Sequence, residues 1–476
     1  MKFSFDLEKT ADGFLRVALD IDGEVAWPHP DQDEGSSDFD PEDVVSYLTD
    51  AWPSLLLAQS WPIDFEEKQQ PHSMTGLLRA AENRWAQPGA VSLTEIRSEE
   101  ILLDAFLYNH DLSQMKHGAS LKSCFVLRQH TNVQLETNGR MYEDIPFVTF
   151  ASEINKLYSL AVELLQERTD SAAIRVIKRG ENREQIDPIT AAALLSGLPR
   201  HDIEGSDSLQ KNLVSAVANR TLSDIANDNN SPIYAAARSA GILGPASLAE
   251  ILWCIRSMTS GNTVELNKLR RLVRGHLRGT TLAPRDQGIR AANYVRDWLR
   301  LSDDDPVDSK ALSDKLLIHV VRQALSDERL DGIATCGPAH GPSIVLNSNT
   351  RRRGAGGEDL ERSLRFTWLH EVGHLILDRD EWPALIDAAK QRVPRSVETR
   401  ANAFAAHLLL PMRTAYRLWD EIGAPLDWEK LEPFLNRLAS NFGLPRIAAS
   451  RQVMRGAPQE RQGFLRQTFK QYYPEV

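Results

Sequence analysis

This 476-residue chain contains little cysteine and no apolar run long enough to span a membrane. The three cysteines, Cys124, Cys254 and Cys336, are far apart and form no C-x-x-C pair, which argues against a disulfide framework and a thiolate zinc site. A transmembrane helix needs about 20 consecutive apolar residues. The first residues also lack the basic start and apolar stretch of a secretory signal. We therefore expect a cytoplasmic protein without a membrane segment.

An excess of positive charge is also missing. The chain has 55 Lys and Arg against 66 Asp and Glu, a net charge of −11. Such a chain does not attract nucleic acid through its overall charge, although a local basic patch can. The segment Leu266–Arg278 is one such patch, with basic residues at Lys268, Arg270, Arg271, Arg274 and Arg278. A solvated helix face explains this pattern better than a nucleic-acid-binding helix, which stays the less favoured alternative.

The length predicts about three folded units at roughly 150 residues each. Hydrophobic residues make up 42% and charged residues 25%, as is typical of a soluble globular protein. The sequence predicts an α+β protein. Its predicted parts are an N-terminal mixed α/β domain (1–180), a helical connector (188–285), a further α+β domain (286–425) and a C-terminal helical region (426–476).

Local patterns predict several elements. Alternating apolar residues predict two short strands near Phe3 and Phe14, and Asp40 precedes a proline as the N-cap of a helix. Ile344–Leu346 is predicted as a strand. The run Leu317–Val321 either extends the preceding helix or begins a strand, because periodicity does not separate the two over so few residues.

The segment from His370 to His374 reads His-Glu-Val-Gly-His, an HExxH pattern. Residues four apart lie on one face of a helix, so His370 and His374 can bind one Zn²⁺ at about 2.0–2.1 Å. Glu371 can reach a water on that metal and accept its proton. The pattern arises by chance in roughly 2% of such chains. A buried helix with hydrogen-bonded histidines is therefore an alternative.

A catalytic zinc site needs a third protein ligand and an open position. A second helix is predicted downstream, and Glu398 and Asn402 lie four residues apart on it, beside its packing stripe. The stripe consists of Val397, Ala401, Phe404 and Leu408. We predict Glu398 as the third ligand. Asn402 is predicted to accept the free N–H of a ligand histidine and so to fix its tautomer.

The stretch from about Gly288 to Leu410 resembles the ImmA/IrrE family of metallo-endopeptidases. The resemblance is carried by the strand SIVLN (Ser343–Asn347), the helix FTWLHEVGHLIL and the pattern E-x-x-A-N-x-F-A-x-x-L-L-x-P, which ends at Pro411. It implies a zincin-like domain in which a small sheet packs on the HExxH helix. It also implies that Ile344–Leu346 is a sheet edge near the cleft, where a substrate segment adds as a strand.

Residue by residue, the resemblance implies that His370, His374 and Glu398 bind Zn²⁺ and that Glu371 is the general base. The implied function is a zinc-dependent endopeptidase that cleaves a protein partner, such as a transcriptional regulator or repressor in stress response, phage defence or mobile-element control. Many family members begin with a helix-turn-helix module. The start of this chain instead indicates a variant with a different N-terminal domain.

The alternative is a non-catalytic, zinc-containing regulatory or toxin-like module that acts by protein–protein binding. Glu371 favours the enzyme, since a site that only binds zinc needs ligands but no base.

Other histidines are weaker candidates. His407 is expected to pack rather than to bind metal. His110 and Asp111, with His117 nearby, fit turn or capping roles better than a second metal site. His340 and Tyr416 are minor candidates for stabilising an oxyanion.

Overall fold

The structure is a computed structural model of the whole chain. It describes residues 2–28, 38–63, 65, 71, 73–87, 89, 91–117, 121–129, 131–168, 170–228, 231–258, 260–278, 282–336, 340–351, 357–378 and 395–473. The chain forms two compact units, Met1–Asn229 with Ile233–Ala249, and Asn230–Pro232 with Glu250–Val476. The finer four-part division of the sequence stays a prediction.

The N-terminal unit combines two small antiparallel sheets with helices. Its strands are β1 (Phe3–Lys9), β2 (Leu15–Ile21), β3 (Glu24–Trp27), β4 (Asp38–Phe39), β5 (Cys124–Gln129), β6 (Asn132–Thr137) and β7 (Arg140–Pro146). One sheet has the order β1-β2-β3 with β4 also paired to β2, and the other has the order β5-β6-β7.

The helices of this unit are α1 (Pro41–Leu57), α2 (Met74–Trp85), α3 (Leu93–His110), α4 (Phe147–Gln166), α5 (Ser171–Gly180), α6 (Pro188–Ser196), α7 (Arg200–Glu204), α8 (Asp207–Leu209), α9 (Ser215–Val217) and α10 (Leu222–Asn227). A 3₁₀ turn at Leu112–Met115 and a π-helical turn at Gln210–Val214 complete it. Helix α11 (Pro232–Ser257) crosses the division between the units and has a non-helical break at Gly244.

The predictions for the N-terminal elements are confirmed. Strands β1 and β2 pair as an antiparallel hairpin, and Asp40 caps α1 by accepting a hydrogen bond of 2.9 Å from the Glu42 N–H. Asp111 has the capping role predicted for it, since its carboxylate accepts from the backbone N–H of Ser113 at 3.0 Å and of Cys124 at 2.8 Å. Those contacts satisfy Asp111 within the turn.

The C-terminal unit is mainly helical and contains one small sheet. Its helices are α12 (Val264–Leu277), α13 (Pro284–Leu299), α14 (Ser309–Leu316), α15 (Gly357–Leu377), α16 (Arg395–Leu409), α17 (Met412–Glu421), α18 (Trp428–Phe442), α19 (Arg446–Gly456) and α20 (Gln459–Tyr472). Its strands are β8 (His319–Gln323), β9 (Gly332–Thr335) and β10 (Ser343–Asn347). The α+β class predicted from the sequence is therefore confirmed.

The strand order of this sheet is β8-β10-β9. Leu317, with a φ of 56°, ends α14, so the ambiguous apolar run becomes strand β8 rather than more helix. The prediction that Ile344–Leu346 forms a sheet edge is wrong. These residues belong to β10, which pairs with β8 in parallel and with β9 antiparallel, so both of its sides are occupied. Within the described residues, the edges are β8 and β9.

Helices α15 and α16 form the centre of the C-terminal core. Leu369, Val372 and Ile376 of α15 are fully buried, and so are Phe404 and Leu408 of α16. The stripe predicted for α16 is confirmed as well: Val397 and Ala401 are also buried.

Helix α13 packs tightly along α16. A Cβ atom on Gly288 would lie 2.2 Å from the Arg400 carbonyl oxygen, so only glycine permits this approach. The buried guanidinium of Arg296 donates to the carbonyls of Leu408 and Asp305 at 2.6 and 2.7 Å. It therefore satisfies a carbonyl at the C-terminal end of α16 that no helical N–H can reach.

The basic residues of α12 do not all share an exposed face. Arg270 is buried, and its guanidinium donates to the Asn267 side chain at 3.0 Å. Lys268, Arg271 and Arg278 are exposed, as the solvated-face interpretation predicts. Among the helices described, none combines the length and the apolar character needed to cross a membrane.

Candidate metal centre

Helix α15 places His370 and His374 one turn apart and both side chains point to the same buried spot. The two residues are 5% and 0% exposed. Their Nε2 atoms are 2.9 Å apart, and the ring planes lie at 87° to each other. Two imidazole nitrogens that converge in this way point their lone pairs at one small volume.

Helix α16 brings Glu398 to the same volume. Its Oε2 lies 3.5 Å from His370 Nε2, and its Oε1 lies 3.4 Å from His374 Nε2. Among the described residues, these three form the one group of His, Cys, Asp or Glu that could hold a metal ion, with all ligand atoms within 4.8 Å of one another. The structure thus brings together the three residues that the sequence predicts as ligands.

The donor set fits a tetrahedral zinc ion. Bonds of about 2.0–2.2 Å at tetrahedral angles place ligand atoms roughly 3.3 Å apart. The two nitrogen–oxygen separations match that value, and the nitrogen–nitrogen separation of 2.9 Å is slightly shorter. Two imidazoles and one carboxylate also leave the fourth position open, as catalytic zinc sites do.

Gly373 permits the close approach of α15 and α16 that this geometry needs. A Cβ atom at this position would lie 2.9 Å from Phe404 Cδ1 and 3.6 Å from Ala401 Cα. A side chain there would collide with the face of α16 one to two turns beyond Glu398. The glycine inside the HExxH motif is therefore a packing residue.

Asp378 contacts His374 at Nδ1, the ring nitrogen that does not face the cluster. Its Oδ2 lies 2.8 Å from His374 Nδ1, and its Oδ1 accepts a hydrogen bond from the Arg400 guanidinium. Arg400 also donates to Gln287 Oε1 at 3.1 Å. Asp378 is fully buried, so it fixes the ring orientation that directs Nε2 toward the cluster.

This carboxylate changes the protonation of the histidine. Burial lowers the pKa of His374, but the hydrogen bonds to Asp378 and Glu398 outweigh it and raise the pKa to about 10. Because a metal ion binds the unprotonated imidazole nitrogen, metal binding at His374 competes with its protonation.

Sequence reasoning missed Asp378 and gave its role to Asn402. In the structure, Asn402 is exposed, and its amide donates to the Glu398 backbone carbonyl at 2.8 Å. The hydrogen bond to His374 Nδ1 is made by Asp378 instead. The signal was present in the sequence, because His370, His374 and Asp378 repeat at intervals of four residues.

Glu371 lies on α15 beside strand β9. It is fully buried, and a Cβ atom on Gly332 of β9 would lie 3.4 Å from Glu371 Cγ and 2.8 Å from Thr367 Cγ2. The absence of a side chain at Gly332 lets the strand run close to the helix. Glu371 is thus between the ligand histidines in sequence and next to a sheet edge in space.

The remaining histidine candidates lie elsewhere. His407 is buried, with its Nε2 2.9 Å from Asn293 Oδ1, and burial together with the Arg296 charge lowers its pKa to about 4. The packing role predicted for it is confirmed. His340 Nδ1 lies 2.9 Å from the Met258 carbonyl, so its ring is anchored to another segment.

Residues 314–454 match the family Peptidase_M78, described as an IrrE N-terminal-like domain. The match begins in α14, ends in α19 and includes both helices of the metal cluster. It covers less than a third of the chain and confirms, for this segment, the resemblance seen in the sequence. The curated proteins and the solved structures gave no match.

Replacing Gly373 by Ala should destabilise the C-terminal unit by about 1–3 kcal/mol, because the added methyl group forces Phe404 to move. Gly275→Ala on α12 is the matched control. A Cβ atom there meets nothing within 4 Å, so the higher helix propensity of alanine should stabilise by up to about 1 kcal/mol. Urea unfolding of both variants measures the difference. Equal effects of the two substitutions would contradict the packing role of Gly373.

Replacing Asp378 by Asn should weaken metal affinity by about 10–100-fold, since the carboxylate that orients His374 is lost. Asn402→Ala should change the affinity by less than about threefold, because its side chain contacts the Glu398 backbone and no histidine. Titration against a zinc-chelating dye compares the two variants with the wild type. A larger loss in Asn402→Ala than in Asp378→Asn would restore the role predicted from the sequence.

Proposed function

The C-terminal unit carries a Peptidase_M78 domain, and from this premise we propose that the protein is a zinc-dependent endopeptidase that cleaves a protein partner. One observation carries the proposal: His370, His374 and Glu398 converge within 4.8 Å, with Glu371 buried beside the first of them on the same helix. The donor set favours zinc, because imidazole and carboxylate with one open position is the composition of catalytic zinc sites.

Each residue has a distinct part in this proposal. His370, His374 and Glu398 would hold the ion, and Asp378 would keep His374 in the orientation for binding. A zinc ion held there would polarise the peptide carbonyl and lower the pKa of a bound water. Glu371 would take the proton of the attacking water and return it to the leaving amine. Its burial excludes competing solvent and strengthens its interaction with the nearby charges.

Strand β9 is the element best placed to receive a substrate. It is an edge strand within the described part of the sheet, and its Gly332 lies against Glu371. A peptide added along an edge strand is held by main-chain hydrogen bonds in an extended form. The substrate strand would then run beside the general base.

We extend the proposal to a transcriptional regulator or repressor as the substrate, in stress response, phage defence or mobile-element control. The resemblance of the sequence to the ImmA/IrrE family is its support. The protein's three cysteines are free and buried, which fits a reducing, cytoplasmic compartment.

Purified protein should contain close to one zinc ion per chain, and His370→Ala or Glu398→Ala should lose most of it. With one of three ligands removed, the cluster has no spare donor among the described residues. Metal analysis after dialysis measures the stoichiometry, with His407→Ala as the control, since His407 contacts Asn293 and not the cluster. Full zinc content in both ligand variants would refute the ligand assignment.

Replacing Glu371 by Gln should leave zinc content and folding unchanged but reduce peptide hydrolysis by about 10²–10⁴-fold, because the amide cannot accept a proton. The measurement is cleavage of a peptide library derived from cell lysate, analysed by mass spectrometry, beside the zinc stoichiometry. If the variant kept both its zinc and the full biological effect of the protein, the effect would come from binding. The non-catalytic, zinc-containing module would then be the correct function.

A further inference from the structure

A cavity of about 740 Å³ opens in the C-terminal unit beside the metal cluster. Helices α15, α16 and α19 supply most of its lining, together with the first turn of α13 and Tyr473. Phe366 lines it four residues before His370, and Asn402 lines it four residues after Glu398. The cavity therefore follows the groove between α15 and α16, one helical turn away from the metal ligands.

Positive charge is concentrated in this cavity. Four arginines line it: Arg285, Arg446, Arg451 and Arg455. The one carboxylate in the described lining, Asp359, is shared, because it pairs with Arg362 at 2.9 Å and with Arg446 at 3.6 Å. Arg446 also pairs with Glu432 at 3.3 Å, so the net positive charge of the cavity rests mainly on Arg285 and Arg455.

Two of these arginines have no acidic partner among the residues that the structure describes. Within the described part of the chain, neither Arg285 nor Arg455 lies within 4.0 Å of a carboxylate. Burial, together with the charges of Arg285, Arg451 and Arg466, lowers the pKa of Arg455 to about 10. Like charges held together in this way reduce stability, and a bound anion would relieve the repulsion.

We propose that this cavity binds a phosphorylated small molecule, specifically a nucleotide. Guanidinium groups bind phosphate with paired hydrogen bonds, and a phosphate offers more charge and more acceptors than a carboxylate. The rings of Phe366 and Tyr473 add aromatic surface on which a base can stack. The volume lies within the range of pockets that hold small ligands.

The ligand would contact the two helices that carry the metal ligands without using the ligands themselves. Phe366 belongs to α15, and Asn402 to α16. The exposed amide of Asn402, which makes no contact with a histidine, then has a polar group of the ligand as its neighbour. The cavity contains none of the residues proposed for peptide hydrolysis, so nucleotide binding does not depend on that activity.

The test is a binding measurement on the full-length protein at physiological salt, with ADP, pyrophosphate and adenosine as probes. Calorimetry should show ADP binding more tightly than pyrophosphate, and adenosine binding weakly, because the arginines recognise phosphate and the rings add affinity for the base. Arg455→Gln and Arg285→Gln should each weaken ADP binding by about 10–100-fold, as expected when a charge-assisted hydrogen bond is lost. Arg285 is exposed, so its variant should fold even if the Arg455 variant does not.

Arg271→Gln is the matched control, because it removes the same charge from an exposed position on α12, away from the cavity; it should leave ADP affinity unchanged. His370→Ala should also bind ADP normally, which separates the cavity from the metal cluster. Equal ADP affinity in the wild type and in Arg285→Gln and Arg455→Gln would overturn the proposal, as would no binding of ADP at millimolar concentration. Binding of a glutamate-rich peptide in place of ADP, with the same dependence on Arg455, would assign the cavity to an acidic protein segment instead.

Discussion

The contact between α15 and α16 is the constraint on which the candidate site depends. The two histidines come from α15 and the carboxylate comes from α16, so neither helix alone forms the cluster. The helices approach closely because Gly373 presents no side chain to Phe404. Helix α13 also packs closely on α16, where Gly288 lies against the Arg400 carbonyl. Close packing at Gly373 and Gly288 thereby sets the distances between Glu398 and the two histidines.

Much of this site could be predicted from the sequence, because helical periodicity is a local property. Two residues four apart, such as His370 and His374, share a face wherever they occur in a helix. The apolar stripe from Val397 to Leu408 likewise predicts a buried face without knowledge of the element that covers it. Asn402 shows the limit of such reasoning. Asn402 shares the face of Glu398, but periodicity does not tell how far along that face the histidines of the neighbouring helix lie.

The order of the strands in the sheet could not be predicted from the sequence either. A run such as Ile344–Leu346 is apolar whether it lies at the centre or at the edge of a buried sheet. Its place is decided by β9, which returns antiparallel along one side, and by β8, which pairs on the other. The corrected order moves the sheet edge next to the general base, so the same proposed mode of substrate binding involves a different strand. The basic cavity was missed for a similar reason: three of its arginines lie on α19, but they meet Arg285 of α13 and the aromatic rings only in the folded chain.

Helix α16 carries two residues that act on the histidines from opposite directions. Glu398 faces their Nε2 atoms directly. Arg400 acts indirectly, because it donates a hydrogen bond to Asp378, and Asp378 in turn contacts His374 Nδ1. A small displacement of this one helix would remove a ligand and release the support of another in the same movement. The position of α16 therefore controls both the supply of the third ligand and the orientation of His374.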